Sequence, residues 1–214
     1  MNARKIETGF ISAAVAFLLI VLVSGCDDRT ANANTIRPQL PEATDQLRKT
    51  RVERGKYLVT IMVCNDCHTP FKMGPAGPEP DMTRMLSGHP QSVGKVPPPK
   101  FTDGSWVWAG GPTNTVFHGP WGTSYTANIT PDRNTGIGIW DEALFIKAIR
   151  TGKHWGTSRP IMPPMPWRFF SQASDEDLKS IYAYLRTIKP IQNQVPDYEP
   201  PPAPAPAKAN EKKS

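Results

Sequence analysis

Residues 64–68, Cys-Asn-Asp-Cys-His, restrict the possible chemistry of this chain more than any other segment does. Two thiols three residues apart, near the end of a helix, can reach the two vinyl groups on one edge of a porphyrin and form thioethers. The imidazole of His68 follows directly, where a neutral ring nitrogen can bind the iron. The motif therefore predicts that Cys64 and Cys67 hold a c-type haem covalently, with His68 as its proximal ligand.

Three other uses of Cys64 and Cys67 fit the sequence less well. A structural zinc site needs four ligands, and the chain has no second Cys-x-x-Cys or His-x-x-x-His pair. A thioredoxin-like redox pair needs alternating strands and helices around it, and the sequence pattern lacks them. A disulfide would close a very small loop and would leave His68 without a role. Covalent haem is the prediction that accounts for all three side chains.

The N-terminus has the pattern of a bacterial export signal. Arg4 and Lys5 give a positive start, and residues 10–23 form a nearly unbroken apolar run. Residues 23–26, Val-Ser-Gly-Cys, resemble the lipobox of bacterial lipoproteins, which implies cleavage before Cys26 and a diacylglycerol on its thiol. An uncleaved N-terminal membrane anchor is the alternative. Both interpretations predict a domain that lies outside the cytoplasm and is tied to a membrane.

Composition divides the chain into four parts. The first is a signal peptide over residues 1–25, and the polar residues 26–43 predict a flexible, lipid-anchored linker. The periodic segments fall within residues 44–190, the predicted domain, and residues 191–214 form a proline-rich tail. Asp27 resembles the inner-membrane retention signal of enteric lipoproteins. We therefore expect the domain on the periplasmic side of the inner membrane.

The charge of the chain favours acidic partners. Its 25 lysines and arginines exceed its 19 aspartates and glutamates, which gives a formal net charge of +6. Such an excess suits docking to acidic proteins or to anionic lipid headgroups. Nucleic acid is not an expected partner, because an exported chain without an aromatic and basic repeat does not fit that role. The three cysteines are all accounted for, one by lipid and two by haem.

Apolar periodicity predicts three helices. The first runs from residue 44 to the haem motif, and Gly55 within it indicates the close approach of another helix. The second covers residues 140–150 and is followed by Gly152, a typical stop signal. The third covers residues 174–188 and starts with a capping-box-like Ser-x-x-Asp. These elements predict a mainly α-helical domain.

Between the first two helices lies a long segment, residues 71–125, that is dense in glycine and proline. We expect an insertion that covers one side of the haem, since long loops inside compact domains are usually functional. The Trp-Val-Trp sequence at residues 106–108 is a candidate strand, and residues 113–128 contain a candidate hairpin.

A proline-stiffened segment, residues 159–167, cannot be helical and carries Met162 and Met165. A soft thioether on a rigid loop is what a low-spin haem iron needs on its second face. Both methionines are candidates on this ground. A distal histidine is the other possibility, although the remaining histidines lie in loops or at helix ends, where hydrogen-bonded or solvent-facing rings are common: His89, His118 and His154.

The order of these features resembles class I cytochrome c. The likeness covers residues 51–188 and consists of a helix ending in Cys-x-x-Cys-His, a methionine on a proline-rich loop and a final amphipathic helix. It implies a mainly α class I cytochrome c fold, here with the long insertion after the haem motif. The first and last helices of that fold cross, so Gly55 should face Ile181 or Tyr184.

Within that family, four short motifs are similar to the haem units in cytochrome subunits of bacterial alcohol and aldehyde dehydrogenases. They are Asn-Ile-Thr-Pro-Asp at 128–132, Gly-Ile-Gly at 136–138, Pro-Met-Pro-Trp at 164–167 and Asp-Glu-Asp-Leu at 175–178. The family's ligand commonly sits in a Met-Pro-aromatic context, which implies Met165 as the distal ligand and Met162 as the runner-up. Those subunits usually carry several haem motifs, whereas this chain carries one.

Together the motifs predict a membrane-anchored, one-electron carrier that is not itself an enzyme. Redox proteins such as dehydrogenases, oxidases or other cytochromes are its expected partners. Two alternatives stay open, namely a permanently bound redox subunit of a dehydrogenase or terminal oxidase, and a haem peroxidase or ligand sensor. For docking, we expect a rim of exposed cations drawn from the following set: Lys56, Lys72, Lys147, Arg150 and Lys153.

Overall fold

The computed structural model describes residues 40–101 and 104–203, so the predicted signal peptide, most of the linker and Cys26 lie outside the described residues. The helices are α1 (Leu40–Ile61), α2 (Cys64–His68), α3 (Glu142–Thr151), α4 (Trp167–Phe170) and α5 (Asp175–Leu185). The strands are β1 (Phe71–Gly74), β2 (Gly77–Pro80), β3 (Ala109–Gly110), β4 (Val116–Gly119) and β5 (Gly122–Tyr125). None of the helices described is long and apolar enough to cross a membrane.

Local capping signals fix the ends of α3 and α5. The carboxylate of Asp141 accepts a hydrogen bond from the Leu144 amide at 2.7 Å and starts α3. Gly152 ends this helix with a left-handed backbone at φ 62°, where a side chain would be strained. The hydroxyl of Ser174 accepts from the Asp177 amide at 3.1 Å and starts α5. The predicted start at Ser174 and the glycine stop are thus confirmed. Helix α3 begins at Glu142, two residues after the predicted residue 140, and α5 ends at Leu185, before the predicted residue 188.

Helices α1 and α5 meet at Gly55, as the family resemblance implies. A Cβ atom at this position would lie 1.9 Å from the Ser180 carbonyl oxygen and 2.8 Å from Cβ of Tyr184. The missing side chain therefore lets the two helices touch through their backbones. Two ion pairs flank the contact, Arg51 with Glu176 and Arg54 with Asp177.

The apolar core joins these helices to the loops between them. Its members are Leu58, Val59, Leu86, Ile137, Phe145, Leu178, Ile181 and Leu185. Leu86 comes from the insertion, and it is fully buried with a left-handed φ of 60°. A bulky residue rarely adopts this backbone conformation, so the surroundings must hold it there. The insertion is therefore part of the core and not only a cover over it.

The insertion contains two small antiparallel sheets. Strands β1 and β2 pair with each other, and β4 pairs with both β3 and β5. The β4–β5 hairpin confirms the hairpin predicted within residues 113–128. The predicted strand at residues 106–108 is wrong, because pairing begins only at Ala109 and the side chains of Trp106 and Val107 are exposed. The Trp108 ring packs edge-on against Phe117 of β4, with 6.0 Å between the ring centroids, but residues 106–108 form no strand pairing.

Candidate functional site

The two cysteines of the motif lie one helical turn apart on α2, and both are free thiols. Burial raises the pKa of Cys64 to about 11. Burial, and then the negative charge of Asp66, raise the pKa of Cys67 as well. A redox-active pair needs a stabilised thiolate, so these raised pKa values disfavour the thioredoxin-like alternative.

A short backbone break precedes the motif and was not predicted. Helix α1 ends at Ile61, and Val63 adopts a left-handed φ of 50° before α2 begins at Cys64. Such a conformation is an outlier for a β-branched residue. The motif therefore sits on its own one-turn helix and is not a direct continuation of α1.

The imidazole of His68 is oriented by one hydrogen bond. Its Nδ1 lies 2.8 Å from the carbonyl oxygen of Ala127. Because a carbonyl can only accept, Nδ1 must carry the proton, and Nε2 of the neutral ring is then left with a free lone pair. Burial lowers the pKa of His68, although the bond to Ala127 opposes this shift. The ring therefore presents an unprotonated nitrogen, the form that binds a metal.

The backbone of residues 86–89 supports His68 and its neighbours. The Gly88 amide donates to the His68 carbonyl at 2.7 Å, and the Leu86 amide donates to the Thr69 hydroxyl at 2.8 Å. A Cβ atom on Gly88 would lie 2.4 Å from the Thr126 carbonyl oxygen and 2.6 Å from the Ala127 carbonyl carbon. Gly88 therefore allows the segment that carries the Ala127 carbonyl to approach His68.

Both candidate methionines lie on a loop that is fastened at two points. The Ile161 amide donates to the Gly152 carbonyl at 2.8 Å, and the Ser124 hydroxyl of β5 donates to the Pro163 carbonyl at 2.6 Å. Met162 and Met165 are both partly buried, and the Met165 amide donates to the Met162 carbonyl at 3.3 Å. The hairpin of the insertion thus helps to hold the methionine loop, a role that the sequence did not indicate.

The three other histidines already have neighbours. His89 is fully buried, with Nδ1 2.9 Å from the Thr115 hydroxyl and Nε2 2.8 Å from the Gly94 carbonyl. His118 contacts the Thr123 hydroxyl through Nδ1 at 2.9 Å. His154 packs between the rings of Trp140 and Trp155. Since both nitrogens of His89 are engaged, this ring is not available as a distal ligand.

The donor set of the described residues fits a covalent haem better than a zinc ion. Nowhere in residues 40–101 and 104–203 do three or more His, Cys, Asp or Glu side chains converge on a point that could hold a metal ion. Cys64 and Cys67 therefore lack the further ligands of a structural zinc site. Two thiols without a partner and one oriented imidazole are the groups that covalent haem requires.

Two members of the predicted cationic rim are paired in the structure. Lys72 lies 3.5 Å from Asp81, and Arg150 pairs with Asp175. Lys56, Lys147 and Lys153 are exposed and form no ion pair with a described residue. These three lysines remain the members that can meet an acidic partner.

Comparison with known proteins supports the similarity to dehydrogenase cytochromes. No family model matches the chain. The chain is 37% identical over 161 residues to a nicotinate dehydrogenase subunit from Pseudomonas putida, which covers 75% of this chain and 10% of that protein. It is 33% identical over 153 residues to the gluconate 2-dehydrogenase cytochrome c subunit of Pantoea cypripedii. The match covers 70% of this chain and 26% of that protein.

A third relative is the cytochrome c subunit of alcohol dehydrogenase (quinone) from Gluconobacter oxydans. It is 31% identical over 151 residues, which are 68% of this chain and 24% of that protein. The chain thus spans only about a tenth to a quarter of the length of these relatives. The likeness to cytochrome subunits of bacterial dehydrogenases, predicted from four short motifs, is confirmed by relatives that match 68% and 70% of this chain.

Proposed function

Because its sequence is similar to part of the cytochrome c subunits of several bacterial dehydrogenases, we propose that this chain is a non-catalytic electron-transfer subunit of a dehydrogenase complex, with a class I cytochrome c fold and one covalent haem. The observation that carries the proposal is the hydrogen bond from Nδ1 of His68 to the Ala127 carbonyl. It leaves Nε2 as the ligating nitrogen beside two free thiols. Bis-histidine ligation through His89 is disfavoured by the contacts of that ring.

Each residue of the site has a distinct task in this proposal. Cys64 and Cys67 would fix the porphyrin by thioether bonds, and His68 would hold the iron from one side. Met165 would hold it from the other side, with Met162 as the runner-up. When bound, haem supplies reversible one-electron chemistry with both axial ligands retained. The chain's own contribution is to orient the imidazole through Ala127 and to fasten the methionine loop through Ser124 and Gly152.

The names of the relatives favour a bound subunit over a freely diffusing carrier. The matching proteins include the cytochrome c subunits of alcohol dehydrogenase (quinone) and of gluconate 2-dehydrogenase. We therefore propose a dehydrogenase as electron donor, and the alternative of a permanent redox subunit takes precedence over the free carrier. Purification from native membranes tests this choice. A catalytic dehydrogenase that stays with the chain at constant stoichiometry through two chromatographic steps supports it, and a lone monomer contradicts it.

The proposed location is the periplasmic face of the inner membrane, anchored by lipid on Cys26. The lipobox-like residues 23–26 and the residue that follows them support this location. Metabolic labelling with a fatty acid tests the anchor. Label should enter the wild-type chain and be absent from Cys26→Ser, and equal labelling of both chains would contradict lipidation at this residue.

Absorption spectroscopy of the purified chain tests the haem ligands. We expect a haem spectrum that survives extraction with acidified acetone, and a weak far-red band from sulfur-to-iron charge transfer in the oxidised protein. Met165→Ala should lose the far-red band. Met162→Ala is the matched control and should keep it. The reverse pattern would make Met162 the ligand, and a colourless wild-type chain would overturn the proposal.

A further inference from the structure

Residues 86–89 hold a strained backbone next to the proposed proximal ligand. Leu86 and Gly88 have left-handed φ angles of 60° and 76°. Leu86 is bulky and fully buried, so its conformation persists only if neighbouring groups impose it. The strain matters because the Gly88 amide, at the end of this stretch, donates to the His68 carbonyl.

The same stretch also controls the other contact of His68. The His89 amide donates to the Thr126 carbonyl at 3.0 Å. Thr126 directly precedes Ala127, whose carbonyl accepts from Nδ1 of His68. Residues 88 and 89 are therefore bonded both to the backbone of His68 and to the segment that orients its ring. A shift of this stretch would move both contacts together.

The side chain of Asn193 fastens this stretch from outside the helical part of the domain. Its Nδ2 donates to the carbonyls of Ser87 at 2.7 Å and His89 at 2.8 Å, on either side of Gly88. Its Oδ1 accepts from the Gln91 amide at 2.8 Å and from an Arg84 guanidinium nitrogen at 3.0 Å. The amide makes four hydrogen bonds, all that its two donors and one oxygen can form. At 1% exposure, it cannot exchange these bonds for water.

We infer that Asn193 is a positioning residue for the proximal imidazole, acting through residues 86–89 on His68. The expected effect on the iron rests on the proposed function, whereas the hydrogen bonds that link Asn193 to His68 do not depend on it. Loss of the two Nδ2 donors would leave the Ser87 and His89 carbonyls unpaired in a buried site. The left-handed backbone would then relax, and both the Gly88 and the Ala127 contacts of His68 would weaken.

The expected consequence is a change in the donor strength of the ring. A hydrogen bond from Nδ1 to a carbonyl makes the imidazole a stronger electron donor to iron. A weaker bond should therefore stabilise the reduced form and raise the reduction potential. It should also let the Nδ1 proton exchange with solvent faster, by about fivefold if the bond loses a typical hydrogen-bond free energy.

The test compares wild type with Asn193→Leu, which has similar size but no polar atoms. Proton NMR of the reduced protein measures exchange of the His68 Nδ1 proton and of the Gly88 amide, and a redox titration measures the potential. We expect faster exchange at both sites and a higher potential. Asn193→Ser, which keeps one donor, should give an intermediate result and serves if the leucine variant does not fold.

Tyr182→Phe is the matched control, since the Tyr182 hydroxyl donates to the Trp140 carbonyl at 2.7 Å and the change removes another bond to a backbone carbonyl. It should lower stability without altering the exchange of the His68 proton or the potential. If the Asn193 variants lose stability as this control does, with unchanged exchange and potential, the inference is overturned.

Haem-free wild-type protein would overturn the proposed function alone. In that outcome, nitrogen shifts of the His68 ring in the same full-length chain still decide the inference. A loss of the Nδ1-protonated tautomer in Asn193→Leu, with retention in Tyr182→Phe, supports positioning. An unchanged tautomer in both variants contradicts it.

Discussion

The imidazole of His89 is a buried titratable group that the proposed electron transfer does not use. Its Nε2 must donate to the Gly94 carbonyl, so its Nδ1 accepts from the Thr115 hydroxyl and the ring is neutral. Burial lowers the pKa of His89, although the bond to Gly94 opposes the shift. Protonation would place a charge in a buried site.

This arrangement predicts acid sensitivity. The pKa of His89 is depressed on folding, so below its ordinary value of 6.5 the unfolded chain binds more protons than the folded chain. The free energy of unfolding should therefore decrease as the pH is lowered below about 6.5. His89→Gln should reduce the fall between pH 6.5 and 5 by about 1 kcal/mol. Urea unfolding at a series of pH values measures the effect.

The control for this prediction is His118→Gln. His118 makes a similar contact to a threonine hydroxyl, but its ring is only partly buried. The control shows the effect of losing a histidine-to-threonine contact outside a fully buried site. Equal pH dependence in wild type and His89→Gln would show that other groups cause the acid sensitivity. The next candidates are His68 and His154, whose pKa values desolvation also lowers.

At the scale of single residues, the sequence revealed the groups that react but not the groups that orient them. Cys64, Cys67 and His68 form a contiguous motif with its own chemical logic. Ala127 and Asn193 contribute a carbonyl and a buried amide from far along the chain, and neither residue type carries a signal for that role. Such contacts depend on the tertiary path of the backbone, which no local pattern encodes.

At the scale of elements, the contact between α1 and α5 depends on Gly55. A Cβ atom there would overlap the Ser180 carbonyl and contact Tyr184. In an exposed helix, glycine to alanine stabilises by about 1 kcal/mol. Gly55→Ala should instead destabilise the protein by about 3 kcal/mol, because the helices must separate to admit the methyl group. The midpoint of thermal unfolding shows whether the substitution stabilises or destabilises the protein. An unchanged or raised midpoint would show that the helices do not touch here.

Elements were predictable where the signal is local. Asp141, Gly152 and Ser174 mark helix ends through bonds or backbone conformations within a few residues. The candidate strand at residues 106–108 failed because a strand needs a partner, and a short apolar run does not specify one. The break at Val63 was missed for a similar reason, since its left-handed φ opposes the preference of a β-branched residue.

At the scale of the whole molecule, the positive charge predicts how electron transfer responds to salt. The exposed and unpaired lysines of the rim should attract an anionic oxidant. Oxidation of the reduced protein by ferricyanide should slow several-fold as salt rises from low ionic strength to 0.5 M, where the screening length is only a few ångströms. Stopped-flow absorbance measures this rate. Kinetics that do not change with salt would contradict electrostatic steering.

Two variants test which lysines cause the electrostatic steering. Lys147→Gln combined with Lys153→Gln should lower the rate at low salt and flatten the salt dependence. Lys49→Gln removes an exposed lysine near the middle of α1, outside the rim, and should behave as wild type. Equal slowing by both changes would indicate that net charge acts without a defined docking rim.

Composition gave no indication that residues beyond the last helix belong to the folded unit. The Ile191 carbonyl accepts from the Asn128 side chain at 2.8 Å. The Glu199 amide and carbonyl bond to the backbone of Thr123 at 2.9 and 2.8 Å, and its carboxylate accepts from the Tyr125 hydroxyl at 2.9 Å. The proline-rich segment thus binds both the region that orients His68 and the β4–β5 hairpin, which also holds the methionine loop.

A truncation series tests how far the cooperative unit extends. Ending the chain after residue 203 keeps these contacts and supplies the reference urea midpoint. Ending it after residue 196 removes the three Glu199 bonds and the bond from the Tyr198 hydroxyl to the Trp121 carbonyl. This loss should cost about 4 kcal/mol, at a typical net value of about 1 kcal/mol per hydrogen bond. Ending it after residue 190 also removes Asn193 and should cost at least twice as much, with loss of the native His68 environment. Equal midpoints for all three chains would mean that residues 191–203 contribute nothing to stability, and the positioning of His68 would then have to come from α1, α2 and the insertion alone.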